Sequence, residues 1–289
     1  MTKTKEKKFD SHDTTIVFTE GNHRYRHKER GKDGKYRYIP SVTTIVGQLD
    51  KGQFLSEWYG KKTHEAIINH LRTKIKDGGE GEVSLGEALE EIEGMDFHKA
   101  GTKERDAAAE EGTRIHKDIE EYVKLKMHHN PFVSKEEKEE FEKKILEFSE
   151  KPHIQKFMGW ESEYRPKYIA VEEIVYFPKV KGGYPADVEY CGQADIIAEI
   201  DGETFTIDIK TSSAIYPSHK IQVAAYGFTH NVFRENVMIL RIPRAKDTDT
   251  VEDSKDIEVW KPAKEECENL VSLFVYLSHV YRLKKEMKL

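Results

Sequence analysis

Residues 192–211 read GQADIIAEIDGETFTIDIKT, and this stretch decides the fold of the second half of the chain. Two alternating apolar runs flank Asp201-Gly202. An Asp-Gly pair between such runs is typical of a two-residue hairpin turn, because both residues tolerate the backbone conformation that the turn requires. The pattern therefore predicts a β-hairpin with strands over 192–200 and 203–209.

The hairpin should bring chemically active side chains together. Side chains alternate between the two faces of a strand, so Asp208 and Lys210 share one face while Ile207 and Ile209 point to the other. The register that a two-residue turn imposes also sets Asp195 opposite Asp208. We therefore expect two carboxylates and an ammonium group to converge at one end of an otherwise apolar hairpin.

Such a group of side chains suits a hard divalent cation. Mg²⁺ and Mn²⁺ prefer oxygen ligands, and Mg²⁺ is commonly held by one or two carboxylates together with a substrate phosphate. Lys210 would then orient the attacking water, help to deprotonate it, or stabilise the transition state electrostatically. An Asp-x-Lys pair alone is more often a surface ion pair, so the prediction depends on the joint pattern with Asp195.

The composition of the chain limits the class of protein. The chain has 289 residues, 35% of them charged, and a net charge of -6. It contains no apolar run as long as a membrane span, and its lysine-rich start lacks the apolar segment of a secretory signal. Two distant cysteines, Cys191 and Cys267, exclude a zinc ribbon and favour a reducing, cytoplasmic setting. The negative charge weighs mildly against a DNA-binding protein.

The chain divides into three regions by sequence pattern. Residues 1–50 contain short strands and turns, after a solvated tail over Met1–Lys8. Residues 51–151 are helical, with a glycine-rich loop over Lys76–Val83. Residues 152–289 contain the hairpin. No linker of convincing length separates the regions, so we expect one structural domain overall.

Apolar periodicity and turn residues predict the secondary structure of each region. Strands outside the hairpin are expected at 15–18, 23–27, 36–39, 168–177, 237–242 and 256–260. Helices are expected at 53–72, 103–127, 134–150, 219–233 and from Pro262 onward, with Ser134 as an N-cap. Together these elements predict an α/β fold, with a mixed central sheet flanked by helices and an enlarged helical N-terminal region.

Two helical features add to the hairpin. His116 lies in the helix predicted at 103–127, with Glu120 one turn later on the same face. A lone helical histidine is more often structural than a metal ligand. Gln222 and Tyr226 share a face of the helix predicted at 219–233. That face is either the polar edge of a packed helix or a surface that meets DNA phosphate or supports Lys210.

In this order the motifs resemble those of the PD-(D/E)xK nuclease superfamily, and within it the RecB-like exonucleases of the phage and mitochondrial maintenance type. The resemblance covers residues 116–226, with a G-T-x-x-H helix, a strand glutamate, G-x-x-D, D-x-K-T and Q-x-x-x-Y. The stretch PSVTTI at 40–45, with Trp58 downstream, is similar to the N-terminal region of phage members. Single motifs of this kind are weak, but five in the correct order are fairly specific. The resemblance implies a restriction-endonuclease-like core.

The resemblance also implies a role for each matching residue. The metal ligands would be His116, Asp195, Asp208 and the backbone carbonyl of Ile209. The catalytic residues would be Lys210, Asp208, Asp195 and Glu172. The residues that support or face the substrate would be Gln222, Tyr226 and Thr211. Glu173 stays an alternative to Glu172, since alternation lets only one of the two face the site. Glu172 is favoured because Val175 then falls at the spacing of the family.

The implied function is a Mg²⁺- or Mn²⁺-dependent deoxyribonuclease that hydrolyses phosphodiester bonds from the ends of linear DNA, single or double stranded, in replication, recombination or repair. The region 51–151 would form an arch over the DNA. An iron–sulfur cluster held by four cysteines is not expected, and neither is a membrane partner. A homo-oligomer and a recombination partner protein both stay open, and a phage-encoded enzyme would act in the host cytoplasm. Two alternative functions also stay open, a structure-specific endonuclease of the same fold and a non-catalytic DNA-end-binding recombination protein.

Overall fold

The computed structural model describes residues 3–49, 52–77, 85–94, 98–128, 134–179, 188–229, 235–244 and 257–289. The chain forms two compact units, one made of Met1–Leu49 with Ile115–Leu289 and the other of Asp50–Arg114. The boundary between them falls inside a helix, after Arg114. This division differs from the three predicted regions, because residues 115–151 of the helical region belong to the larger unit.

The secondary-structure elements can be given in chain order. They are β1 (Thr4–Phe9), β2 (Thr14–Thr19), β3 (Arg24–Arg30), β4 (Tyr36–Ile39), α1 (Val42–Val46), α2 (Gly52–Asp77), α3 (Leu85–Gly94), α4 (His98–His128), α5 (Lys135–Ser149), α6 (Pro152–Tyr164), β5 (Lys167–Phe177), β6 (Tyr190–Ile200), β7 (Glu203–Lys210), α7 (Pro217–Thr229), β8 (Val237–Arg241), β9 (Glu258–Trp260) and α8 (Lys264–Met287). The smaller unit contains α2, α3 and the N-terminal half of α4.

A five-stranded mixed sheet, in the order β5-β6-β7-β8-β9, forms the centre of the larger unit. Its neighbours pair antiparallel except β7 and β8, which are parallel. The predicted hairpin is present, with Ile200 paired to Glu203. Asp201 and Gly202 have φ angles of 53° and 82°, as a two-residue turn with both central residues left-handed requires. The predicted mixed α/β class is confirmed.

Helices cover both faces of this sheet. On one face, Ile196 and Ile207 pack against apolar residues of α4 and α6, among them Ile119 and Phe157. On the other face, the apolar residues come from α1, α7 and α8, with Ala194 on the sheet side. Fully burying one such aliphatic or aromatic side chain stabilises the fold by roughly 1.5–3 kcal/mol. The sheet that carries the polar groups of the site is therefore packed on both faces.

A second, four-stranded antiparallel sheet runs in the order β1-β2-β3-β4. Its inner face packs Phe18 and Tyr25 against Ile174 and Tyr176 of β5. The Cys191 backbone N–H donates to the carbonyl of Pro40 at 3.0 Å, which ties the end of β4 to the start of β6. The N-terminal sheet thus belongs to the larger unit.

The predicted solvated tail over Met1–Lys8 is wrong for Thr4–Lys8, which lie in β1. The Lys7 ammonium pairs with Glu173 and donates to the Ile174 carbonyl at 3.0 Å. Lysine-rich composition is typical of tails, but it is also common on edge strands, where charge discourages pairing with other chains. Amino-acid composition alone therefore does not distinguish a solvated tail from an edge strand.

Helices α2, α4, α5, α7 and α8 lie where helices were predicted. The N-cap prediction is confirmed in full, because Ser134 and Glu137 form a reciprocal capping box at the start of α5. Helices α1, α3 and α6 were not predicted. Of the predicted loop over Lys76–Val83, the first two residues end α2, and the rest lies outside the described residues. Across the described ranges, none of the helices has the length and apolar content needed to cross a membrane.

Candidate functional site

Strand β7 carries the charged pair at the centre of the predicted site. The Lys210 Nζ lies 2.6 Å from Asp208 Oδ2, and the Asp208 side chain is only 2% exposed. Ile207 and Ile209 point to the opposite face and pack beneath α4 and α6, as alternation predicts. Among the described residues, this buried Asp208 oxygen contacts the Lys210 ammonium and makes no further hydrogen bond.

Asp195 joins the pair where β6 and β7 separate. The backbone pairing of the two strands ends at Ile196 and Ile207, one step before Asp195 would face Asp208. Asp195 Oδ2 instead accepts a hydrogen bond of 2.6 Å from the Ile209 backbone N–H. The side chain thus replaces a backbone partner, and the gap between the strands contains acidic oxygen atoms.

The Ile209 carbonyl points toward the same gap. The neighbouring Lys210 carbonyl accepts from the Ile242 backbone N–H at 2.8 Å, on the β8 side. Backbone groups of successive strand residues point to opposite sides, and the N–H and C=O of one residue point to the same side. The Ile209 carbonyl, like its N–H, therefore faces β6 and Asp195.

In both β5 and β6, the alternation of side chains between the two faces of the sheet is interrupted, at neighbouring positions of the two strands. Ile196 packs under α4 and α6, whereas Ala194, two residues away, packs on the opposite face of the sheet. In β5, Val171 and Val175 show the same exchange. Glu172 lies at the change of face with a φ angle of 53°, a conformation that costs a residue other than glycine about 1–2 kcal/mol. This reversal could not be predicted from simple alternation.

The two adjacent glutamates of β5 have different surroundings. Burial raises the pKa of Glu172 to about 7, and the negative charges of Asp195 and Glu120 add to this shift. Glu173 forms an ion pair with Lys7 of the N-terminal sheet. Of the two alternatives, Glu172 is therefore the one that interacts electrostatically with the acidic group.

The imidazole of His116 reaches the same place from α4. Its Nδ1 lies 3.6 Å from Asp195 Oδ2. Burial lowers the pKa of His116 to about 4, and the positive charge of Lys210 lowers it further, whereas Asp208 opposes the shift. The ring is therefore neutral at physiological pH, the form in which histidine ligates metals.

Burial makes the ionised form of Asp195 and Asp208 less favourable when no metal ion is bound. Burial raises the pKa of Asp208 to about 6, with Lys210 acting in the opposite direction and Asp195 adding to the rise. Burial also raises the pKa of Asp195, against the effects of Lys210 and the Ile209 N–H. Two carboxylates kept close together and away from water are typical of sites that bind positive charge.

Helix α7 packs against the sheet next to the site, on the face opposite to α4 and α6. Gln222 Nε2 donates to the Tyr226 hydroxyl at 2.9 Å, so the two residues share a face as predicted. Tyr226 is buried, with 4% of its surface exposed. Its ring lies against Gly192, where an added Cβ would come within 2.3 Å of the ring. Thr211 directly follows β7 and is half-buried.

The residues around Asp195 and Asp208 can be compared with the ligands that Mg²⁺ and Mn²⁺ prefer. The His116 imidazole and the Ile209 backbone N–H both lie beside Asp195 Oδ2, and the buried Asp208 carboxylate has the Lys210 ammonium as its partner in the described part of the chain. That part contains no group of three His, Cys, Asp or Glu side chains arranged to hold one ion. Mg²⁺ keeps several waters and needs only one or two protein carboxylates. The residues therefore fit Mg²⁺ or Mn²⁺ bound mainly through Asp195 and Asp208.

Sequence reasoning missed several residues near the site. Gln193 Nε2 donates to the Glu172 carbonyl at 3.1 Å and stabilises the change of face. Lys124 pairs with Glu120 on α4 and lowers the pKa of Glu172. A glycine inside a strand often marks a close approach by another group, and Gly192, the first residue of the G-x-x-D motif, is such a glycine.

No protein-family model matches the chain, and no curated protein matches it. Among solved structures, the crystal structure of SSO0001 is similar over 57% of this chain and 70% of that chain, with 17% sequence identity and a TM-score of 0.27. A TM-score this low carries no argument about fold or function.

Proposed function

We propose that this chain is a divalent-metal-dependent deoxyribonuclease with a PD-(D/E)xK-type core, which hydrolyses phosphodiester bonds from the ends of linear DNA. The observation that carries the proposal is the contact between Asp208 and Lys210 beside Asp195, at the point where β6 and β7 separate. Acidic oxygens that would bind a cation therefore lie next to an ammonium that would contact the reacting phosphate.

The ligands of Mg²⁺ or Mn²⁺ would be Asp195, Asp208, the Ile209 carbonyl and His116. When bound, the ion would neutralise phosphate charge and lower the pKa of a water molecule. The Ile209 N–H fixes the orientation of the Asp195 carboxylate. Because it orients an oxygen ligand, this hydrogen bond would strengthen metal binding.

Lys210 and Glu172 would act on the reacting groups. The Lys210 ammonium is held by Asp208 and is 16% exposed, so it can reach a phosphate oxygen or the attacking water and stabilise developing negative charge. A carboxyl with a pKa of about 7, as at Glu172, can accept a proton from water near neutral pH. Tyr226 and Gln222 would support the strand that carries Asp195.

The outer face of the N-terminal sheet offers a surface for the DNA backbone. The guanidinium groups of Arg26 and Arg30 lie over the Tyr36 ring, at 3.9 and 4.5 Å from its centroid. Within the described part of the chain, neither guanidinium pairs with a carboxylate. Tyr38, opposite Arg26 on the neighbouring strand, is 55% exposed. Arginines fixed by an aromatic ring lose little freedom on binding phosphate, and an exposed tyrosine can stack on a base.

A gel assay on labelled DNA tests the proposal. We expect loss of end label from linear DNA with Mg²⁺ or Mn²⁺, no loss with EDTA, and no activity for Lys210→Ala. Rapid cutting of covalently closed circles would instead indicate an endonuclease of the same fold. Binding of linear DNA without metal-dependent degradation would indicate a non-catalytic end-binding protein.

The adjacent glutamates provide a matched pair of variants. Glu172→Gln should lower the rate by about 100-fold or more, as expected for loss of a general acid or base. Glu173→Gln changes the same side chain one residue later and should leave the rate within about twofold, since it alters only a partly exposed ion pair. Equal losses in both variants would contradict the assigned role of Glu172.

The basic surface can be tested without catalysis. In EDTA, Arg26→Ala/Arg30→Ala should weaken binding of a single-stranded oligonucleotide and lower the slope of log Kd against log salt concentration by about 1–2. Lys138→Ala/Lys143→Ala removes the same charge from α5, where both lysines form i,i+4 pairs, and serves as the control. Equal affinity in the two double variants would exclude this surface from binding.

A further inference from the structure

Helix α8 displays a row of exposed apolar side chains that the nuclease proposal does not use. The row, here called the α8 stripe, consists of Leu273, Tyr276, Val280, Leu283 and Met287. Their exposed fractions are 40%, 69%, 41%, 49% and 66%. A contiguous apolar patch of this kind on a soluble protein marks an interaction surface more often than isolated exposed residues do.

The α8 stripe lies opposite the buried face of the same helix. The inner face contacts the core through residues such as Val271, Phe274 and Ser278. At 100° per residue, the stripe residues are centred about 180° from these positions. The helix is therefore apolar on two opposite sides, and packing within the described chain accounts for one of them.

The spacing of the α8 stripe specifies the shape of its partner. Successive members are separated by 3, 4, 3 and 4 residues. This is the a/d spacing of a heptad, which forms the seam of two-stranded coiled coils and receives the same seam from a second helix. Glu286, which pairs with Arg282 one turn earlier, takes a g position beside this seam, where charged residues are typical of coiled coils.

From this we infer that the chain forms a homodimer in which α8 of one copy packs against α8 of a second copy through the α8 stripe. A two-fold interface is self-complementary, so one helix with this pattern supplies both surfaces. The five side chains expose on the order of 500 Å² per copy, so a pair would bury about 1,000 Å² from the stripe alone, and flanking residues would bring the total into the range of specific dimers, about 1,200–2,000 Å². The inference does not depend on the nuclease proposal.

Sedimentation equilibrium of the full chain, from low to high micromolar concentration, tests the inference. We expect a reversible association to twice the mass of one chain. Leu283→Glu places a charge in the seam and should raise the dissociation constant by at least about tenfold. Lys285→Gln changes the net charge by the same amount at an exposed position two residues away, off the stripe, and should leave the dissociation constant unchanged.

Each outcome has a defined meaning. A monomeric parent chain at all concentrations overturns the inference and assigns the α8 stripe to another protein or to another segment of the chain. A dimer that survives Leu283→Glu also overturns it, because the interface then lies elsewhere. Circular dichroism melts of both variants establish that any loss of association occurs in a folded protein, and Tyr276→Glu provides a second variant if Leu283→Glu fails to fold.

Discussion

Replacing Glu172 with glutamine tests whether its carboxylate is held in an unfavourable environment in the metal-free protein. Burial raises the pKa of Glu172 from 4.5 to about 7, with Asp195 and Glu120 adding to the rise. A raised pKa means that the folded protein binds the proton more tightly than the unfolded chain does. The stabilisation from this proton is complete below about pH 4.5 and is lost as the pH rises through about 7.

The magnitude follows from the same pKa. A change from 4.5 to about 7 corresponds to about 3 kcal/mol of destabilisation once the carboxyl is ionised in both states. Glutamine does not ionise, so Glu172→Gln should be more stable than the parent protein by about 3 kcal/mol at pH 8 and by less than about 1 kcal/mol at pH 5. At pH 8 this corresponds to a rise in Tm of roughly 5–10 °C for a chain of this size.

Urea denaturation in EDTA at the two pH values measures the effect. Glu173→Gln is the control, because it removes only the ion pair with Lys7 and should cost at most about 1 kcal/mol at pH 8. A Glu172→Gln variant that is no more stable than the parent at pH 8 would refute the reasoning. So would a stabilisation of the same size at both pH values, since ionisation would then not be its cause.

Four further substitutions test the packing and charges described above. Gly192→Ala should destabilise the protein by about 1–3 kcal/mol in urea unfolding, because its Cβ would come within 2.3 Å of the Tyr226 ring; unchanged stability would contradict this packing. Lys210→Met should cost about 2–4 kcal/mol near pH 8 without metal, since it leaves the buried Asp208 carboxylate without its cation. Adding Asp208→Asn should recover most of this loss, and strictly additive losses would contradict the coupling. Ser134→Ala should lower the free energy of unfolding by about 1 kcal/mol by removing the capping box, and an unchanged thermal midpoint would exclude that role.

The hairpin was predictable because its determinants are local. The turn residues fix the register, and the predicted hairpin is present, with Ile200 paired to Glu203. The face of Asp208 follows from period two alone. Elements without such signals were missed. Strand β1 has the composition of a tail. Helix α6 starts at a proline directly after a charged helix, and no change in apolar pattern marks the boundary between the two helices.

The arrangement of acidic groups was only partly predictable. Sequence reasoning set Asp195 opposite Asp208, but the two strands separate before that pair is reached, and Asp195 bonds to the Ile209 N–H instead. The choice between Glu172 and Glu173 could not be made by alternation, because the backbone at Glu172 departs from the extended conformation. The burial of Tyr226 depends on contacts that are distant in sequence.

The change of face in β5 also limits how this strand can vary in length. On the C-terminal side of Glu172, Ile174 and Tyr176 point toward the N-terminal sheet, while Val175 points toward α7 and α8. Deleting one residue here would exchange these two sets of side chains, so that each set would point to the side of the strand on which the other now packs. Homologous chains should therefore show no insertion or deletion between Glu172 and the end of the strand.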